Sequence, residues 1–340
     1  MFNITKSEIK DYLTGIDKFP SYKIDEFLFV HKHQDLTKEF KSIESKQQIK
    51  ALLKISSSHA STYNRYSGLN IECDLIEVLS KFQDKTYCNN IRERLYKPFK
   101  DDDEIYNFLR KLRDLTWKQK KSKRSLVHPK FLPNAGELVA QNIGYELKEF
   151  HFSNYMDLGA GSGYKTKLIA QKLGIDLKKV YAIDYEKFDD KAYNREKEIN
   201  FSNLDSKMTI LPYGDQTFDL VSALMVLHHI TDEKVLDFTL QQVNRVVKLG
   251  GYFLLKEHNC MNVSDFMIND IEHCMYELVY NKIANYDFRK INYSHYYSWV
   301  EWDIIMKKYG FEKVKMFNVD YSVSNKINAS KHWMGLYKKK

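Results

Sequence analysis

Three short stretches of the 340-residue chain carry side chains whose types and spacing suit chemistry. The first is "MDLGAGSGYKT" (156–166), where Asp157 is followed by Gly159, Gly161 and Gly163. Glycines so spaced let the backbone turn tightly and let a ligand approach it closely. No Gly-Lys-Ser or Gly-Lys-Thr ends the loop, so it is not a triphosphate cradle. Asp184 closes the next apolar run, where a carboxylate can accept both hydroxyls of a ribose. The second stretch is "VLHHI" (226–230), and either His228 or His229 could exchange a proton near neutral pH. The third is "GGYFLLKEHN" (250–259), which sets Lys256, Glu257 and His258 at the end of an apolar run. A buried lysine beside a carboxylate can activate a hydroxyl once its proton affinity is tuned. The plainer reading of Lys256 is a strand-end lysine that faces water or pairs with Glu257. His258, Cys260, His273 and Cys274 lack the short pairing that metal ligands need, so no metal site is expected.

Elements must hold these residues together. From about residue 130 strands and helices alternate, which predicts an α/β domain with a mainly parallel sheet. The pattern places strands at 154–159, 178–184, 208–211, 218–226, 251–256, 311–317 and 331–339. It places helices at 164–174, 232–248 and 299–310. Residues 1–125 read instead as a mainly helical N-terminal domain, leaving 126–340 to the α/β domain. Thr5 with Glu8 forms a capping-box pattern at the chain's start. Ile71, Leu75, Leu79 and Phe82 fall at helical spacing, as do Ile105, Phe108, Leu112 and Leu115.

Composition narrows the class. Hydrophobic residues are 43% and charged residues 29%, as in a water-soluble globular chain. The longest apolar run, "LVSALMVL" (220–227), is far short of the roughly 20 residues a membrane span needs. The opening "MFNITKSEIK" is no secretory signal. Four cysteines without a CxxC pair read as reduced thiols, which predicts a cytoplasmic protein. The net charge is +8, with Lys118, Lys120, Lys121, Lys123 and Arg124 in one run. Such a run suits a polyanion such as RNA, or a solvated linker. Residues 265–281 read as a helix over the mouth of the site. Beyond it, 286–299 is aromatic: Tyr286, Phe288, Tyr293, Tyr296, Tyr297 and Trp299, with Arg289 and Lys290 among them. These rings could stack RNA bases, or form the packed interior of a lid.

In order along the chain, "DLGAGSG", Asp184, "LPYGDQTFDLVSALMVLHHI" and "VNRVVKLGGYFLLKEH" resemble the class I S-adenosylmethionine-dependent methyltransferases. The resemblance covers roughly 130–340. It implies a Rossmann-like seven-stranded sheet closed by a reversed hairpin, and S-adenosyl-L-methionine as cofactor. Asp157, Gly159 and Gly161 would then line the methionine end, with Gly163 completing the loop and Asp184 on the ribose. "KMTILPYGD" has no acid before Asp215, which makes Asp215 the adenine candidate. Ribose 2′-O-methyltransferases of this family use a Lys-Asp-Lys-Glu tetrad, and Lys256 matches its strand-end lysine. The other three positions fall near Glu137, Leu224 and His332, so the match is one in four. The "LKEH" ending is also similar to methyltransferases of large DNA viruses, some of them tied to mRNA capping. A viral chain would act in the host cytoplasm or the virion. The resemblance and the basic run together imply an RNA acceptor, with the cap-region ribose as candidate. The alternatives are a small-molecule methyltransferase, favoured by "LPYGDQTFDLV" and "LHHI", and a non-catalytic scaffold or capping-complex subunit.

Overall fold

The computed structural model describes residues 4–16, 135–185, 195–204, 210–230, 232–261, 269, 294–318 and 332–340. The helices expected at 71–82 and 101–117, the basic run 118–124 and most of 262–293 lie outside these residues.

Along the chain the described elements are α1 (Lys6–Thr14), α2 (Ala135–Glu146), β1 (Tyr155–Leu158), α3 (Tyr164–Lys172), β2 (Val180–Tyr185) and β3 (Asn200–Leu204). They continue with β4 (Phe218–Leu224), α4 (Glu233–Val246), β5 (Val247–His258), α5 (Trp299–Lys308), β6 (Phe311–Asn318) and β7 (His332–Lys339). The seven strands form one sheet in the order β3-β2-β1-β4-β5-β7-β6. The first five run parallel, and β7 lies antiparallel to both β5 and β6. The order reverses between β1 and β4, and ligands of open α/β sheets bind outside the strand ends at such a reversal. The sheet is the Rossmann-like, class I methyltransferase arrangement.

Burial explains the strand composition. β1 is buried at all four positions, as expected of a parallel strand covered on both faces. Alternate side chains feed two cores. Phe253 and Leu255 of β5 pack with α1, α4 and α5, while Leu254 packs with α2 and α3. Leu236, Leu240 and Val243 give α4 its apolar stripe, and Asp232 caps its first turn through the Lys234 N–H at 2.8 Å.

Three expectations change. The third strand is Asn200–Leu204; of the expected 208–211, residues 210 and 211 are not in a strand and 208 and 209 lie outside the described residues. It is the sheet's edge strand, and its largely uncovered surface carries polar residues in place of an apolar run. Helix α2 is unanticipated; Val139, Ala140, Ile143 and Leu147 bury it against the sheet. Helix α1 has the expected capping box, with the Thr5 N–H donating to Glu8 Oε2 at 2.6 Å and the Glu8 N–H to Thr5 Oγ1 at 3.1 Å. Yet Ile9 and Leu13 are fully buried in the core shared with α4 and α5. The first helix of the chain is thus packed into the sheet domain. No helix among the described residues is long and apolar enough to cross a membrane.

Candidate active site

The glycine loop leaves β1 and enters α3. Gly159, Gly161 and Gly163 hold φ of +71°, +59° and +77°, a left-handed region that other L-residues enter at a cost. The N–H groups of Gly159 and Ala160 donate to the Ile183 carbonyl at 2.8 and 3.0 Å, tying the loop to the end of β2. The Gly161 N–H donates to Asp184 Oδ2 at 2.5 Å. Asp184 therefore stands beside the loop, where the sequence placed it. A Cβ on Gly161 would meet nothing within 4 Å, whereas one on Gly159 would overlap Val226. The loop is thus pressed against the end of β4 on one side and open at Gly161. An open glycine cradle with a carboxylate at its edge fits a nucleoside-bearing donor: Gly161 would admit it and Asp184 would hold its ribose.

Asp157 sits beneath the loop. It is only 3% exposed, Ser222 donates to its Oδ1 and Thr166 to its Oδ2, both at 2.5 Å. Burial raises its pKa, and the two hydroxyls oppose the shift. Tyr155 OH lies 2.8 Å from Ser222 Oγ, so a buried polar chain braces β1, β4 and α3 under the loop. Asp215 does not join this site. It precedes β4, at the N-terminal end of the parallel strands and so away from the loop at their C-terminal end, and its exposed carboxylate pairs with Arg245 Nη1 at 2.9 Å. With β3 ending at Leu204, Asp215 is an entry residue of β4, not the acid that follows the third strand. In the sequence that acid is Asp205, outside the described residues.

The ends of β4 and β5 form the other half of the site. Lys256 pairs across the sheet with Leu224 on one side and Met334 on the other. The tetrad position Leu224 is therefore an apolar neighbour of Lys256, and His332 stands opposite His258 rather than Lys256. Glu137, the remaining position, lies on α2 and accepts from Tyr164 OH at 3.3 Å. Lys256 is 9% exposed, and its pKa falls from the usual 10.5 to about 8, chiefly through burial and then through the charge of Lys165. Glu257 turns to the opposite face and clamps the turn after β4. Its Oε1 accepts the Val226 and Leu227 N–H groups at 3.2 and 2.8 Å, and its Oε2 lies 2.5 Å from His228 Nδ1. His228 is 2% exposed, while His229 is exposed and its ring lies tilted against it. Sequence reasoning missed this role of Glu257. The turn it holds contains Met225 at φ +65°, strain of about 1–3 kcal/mol that surrounding contacts must impose.

Rings close this end. His258 packs on His228 and on His332, each with centroids 4.8 Å apart, and on Tyr296 at 5.3 Å. Tyr296 and Tyr297 are each 4% exposed. The described end of the aromatic segment is therefore packed interior, which removes those two rings from an RNA-stacking surface. Among the described residues no group of three or more His, Cys, Asp or Glu is arranged to hold a metal ion.

Lys256 carries an energetic consequence. Below pH 8 the folded and unfolded states both hold its proton, and the burial penalty is fully present. Between pH 8 and 10.5 only the unfolded state does, so stability rises with pH. Lys256→Met should raise stability at neutral pH by on the order of 3 kcal/mol and abolish that rise. Urea denaturation of both proteins at neutral pH and at about pH 9.5 checks it; identical pH slopes would refute the burial of the charge.

Residues 156–255 match the family model described as "Methyltransferase domain". With the sheet order and the loop, that match decides the class. Residues 156–255 belong to a methyltransferase domain with the class I sheet order. This methyltransferase domain is similar to several known proteins. A polyketide synthase-nonribosomal peptide synthetase of Phaeosphaeria nodorum is 27% identical over 194 residues, 52% of this chain and 4% of the synthetase. The sarcosine/dimethylglycine N-methyltransferase of Halorhodospira halochloris is 30% identical over 108 residues, 31% of this chain and 37% of that enzyme. The chain thus matches only a small part of the synthetase and about a third of the N-methyltransferase. Among solved structures, a SAM-dependent methyltransferase from Archaeoglobus fulgidus superposes with a TM-score of 0.44 at 15% identity, covering 61% of this chain and 95% of that one. The viral and cap-methyltransferase similarity expected from "LKEH" has no counterpart among these relatives.

Proposed function

We propose that this chain transfers a methyl group from S-adenosylmethionine to a small organic acceptor bearing an N–H or O–H group, and that His228 takes the acceptor's proton. The observation that carries the choice of acceptor is the register at Lys256. Leu224 and Met334 flank it, so neither cross-strand neighbour is a carboxylate that could pair with it. The similarity to a sarcosine/dimethylglycine N-methyltransferase supports the same reading.

When bound, the cofactor supplies a methyl group on a positively charged sulfur that departs as a neutral thioether. The chain's part is alignment, exclusion of water and removal of one proton. Gly161 and Asp184 set the donor's position. The buried rings of His258 and Tyr296 keep water from the transfer path. The acceptor's lone pair forms the new bond to the methyl carbon as the sulfur–carbon bond breaks, and its electron pair stays on sulfur. The acceptor's proton passes to His228, whose Nδ1 is held by Glu257. Lys256, with a pKa of about 8, is poised to hold an anionic group of the acceptor.

A labelled-methyl assay tests this. The full chain is given donor with pools of small amines, phenols and hydroxy acids, and with short capped and uncapped RNA. Label is expected in a small-molecule pool. Label in RNA would overturn the acceptor, and donor binding without labelling of any pool would overturn catalysis.

A further inference from the structure

We propose that Glu257 is a positioning residue that registers the acceptor base to the donor loop, acting through the turn after β4. The inference rests on the reading of His228 as the base. One carboxylate does two separable things. Its Oε1 gathers the Val226 and Leu227 N–H groups, and its Oε2 takes His228 Nδ1. The Met225 N–H adds a bond to the Lys256 carbonyl at 2.8 Å, so the last residues of β5 hold three successive amides of the turn. That grip explains how Met225 stays in the left-handed region. The turn in turn sets the loop: Val226 fills the space where a side chain on Gly159 would stand. A contact path therefore runs from His228 through Glu257 and Val226 to Gly159. Donor and acceptor halves are built on different strands, and this path fixes their separation. Methyl transfer is in-line and depends steeply on that separation. The carboxylate of Glu257 also sets the tautomer: it accepts, so Nδ1 carries the hydrogen between them.

The two duties separate by substitution. In Glu257→Gln the amide oxygen still accepts the two backbone N–H groups, so its NH2 faces His228 Nδ1 and forces the opposite tautomer. In Glu257→Ala the grip on the turn is lost as well. The probes are calorimetry with S-adenosylhomocysteine, and nitrogen NMR of histidine-labelled protein with His228 assigned by its loss in His228→Asn. Glu257→Gln is expected to keep S-adenosylhomocysteine affinity within about twofold and to invert the His228 tautomer. Glu257→Ala is expected to lose about tenfold in affinity. A Gln variant that keeps the wild-type tautomer, or that loses as much affinity as the Ala variant, overturns the proposal. If the Ala variant fails to fold, the Gln variant decides alone. Failure of the wild-type chain to bind S-adenosylhomocysteine would overturn the proposed function, and the tautomer measurement would still decide the role of Glu257.

Discussion

Gly161→Ala should fold with a loss of only about 1–2 kcal/mol and yet bind S-adenosylhomocysteine at least about 100-fold more weakly. The small stability cost follows from the geometry. A Cβ there would meet nothing within 4 Å, so the only penalty is the left-handed φ of +59°. The large binding cost follows from the same open space, which is where the donor must approach the backbone. Gly159→Ala is the informative contrast. Its Cβ would stand 2.7 Å from the Cβ of Val226, and the turn after β4 is too firmly held to retreat. That variant should therefore lose stability as well as donor affinity. Denaturation and calorimetry on both proteins separate the effects. Gly161→Ala with wild-type donor affinity would remove the loop from the donor site.

The glycine loop and its contact with Asp184 were legible because they are local. Three glycines, the acid before them and Asp184 lie on consecutive elements, and backbone geometry demands those residue types in that order. The central strands were legible for a related reason. Strands covered on both faces must be mostly apolar, as β1 and β4 are apart from Asp157, Asp219 and Ser222. The edge strand β3 escapes that demand, and the apolar run "MTIL" drew the expected strand away from it. That slip carried the adenine expectation to Asp215, at the end of the strands away from the loop. Helix α2 was hidden by Gly144, which lies close against Lys172 on α3 and looks like a break in sequence. The role of Glu257 was illegible for a different reason. Its partners stand about thirty residues away, at Val226, Leu227 and His228, and only the register of β4 on β5 brings them together. In sequence, Lys256 drew the attention that its neighbour merited.

Asp303→Ala should cost about 3 kcal/mol or more of folding stability, the largest effect expected from any position outside the active site. Asp303 is buried on α5 and accepts three donors from three other elements. Tyr337 of β7 donates to Oδ1, and Tyr12 of α1 and Lys313 of β6 donate to Oδ2, all at 2.5 Å. Burial and the carboxylate hold both phenols well above their usual pKa, so they stay neutral donors through the ordinary pH range. Removing the acceptor leaves the Tyr337 hydroxyl fully buried with its partner gone, a cost that water cannot relieve. Tyr337→Phe removes donor and demand together and should cost only about 1 kcal/mol. The difference between the two variants, read by urea denaturation, measures the unsatisfied group rather than the bond. Equal losses would mean that the carboxylate merely fills space. The same substitution cuts the polar tie between α1 and the β6–β7 hairpin, a contact spanning almost the whole chain. Amide exchange in α1 should therefore accelerate in Asp303→Ala before global unfolding, while Ile9 and Leu13 keep the helix docked by their apolar surface. None of the three donors belongs to the glycine loop or to the turn after β4. The folded fraction of the variant should thus bind S-adenosylhomocysteine with unchanged affinity, which separates what holds this fold together from what makes it a site.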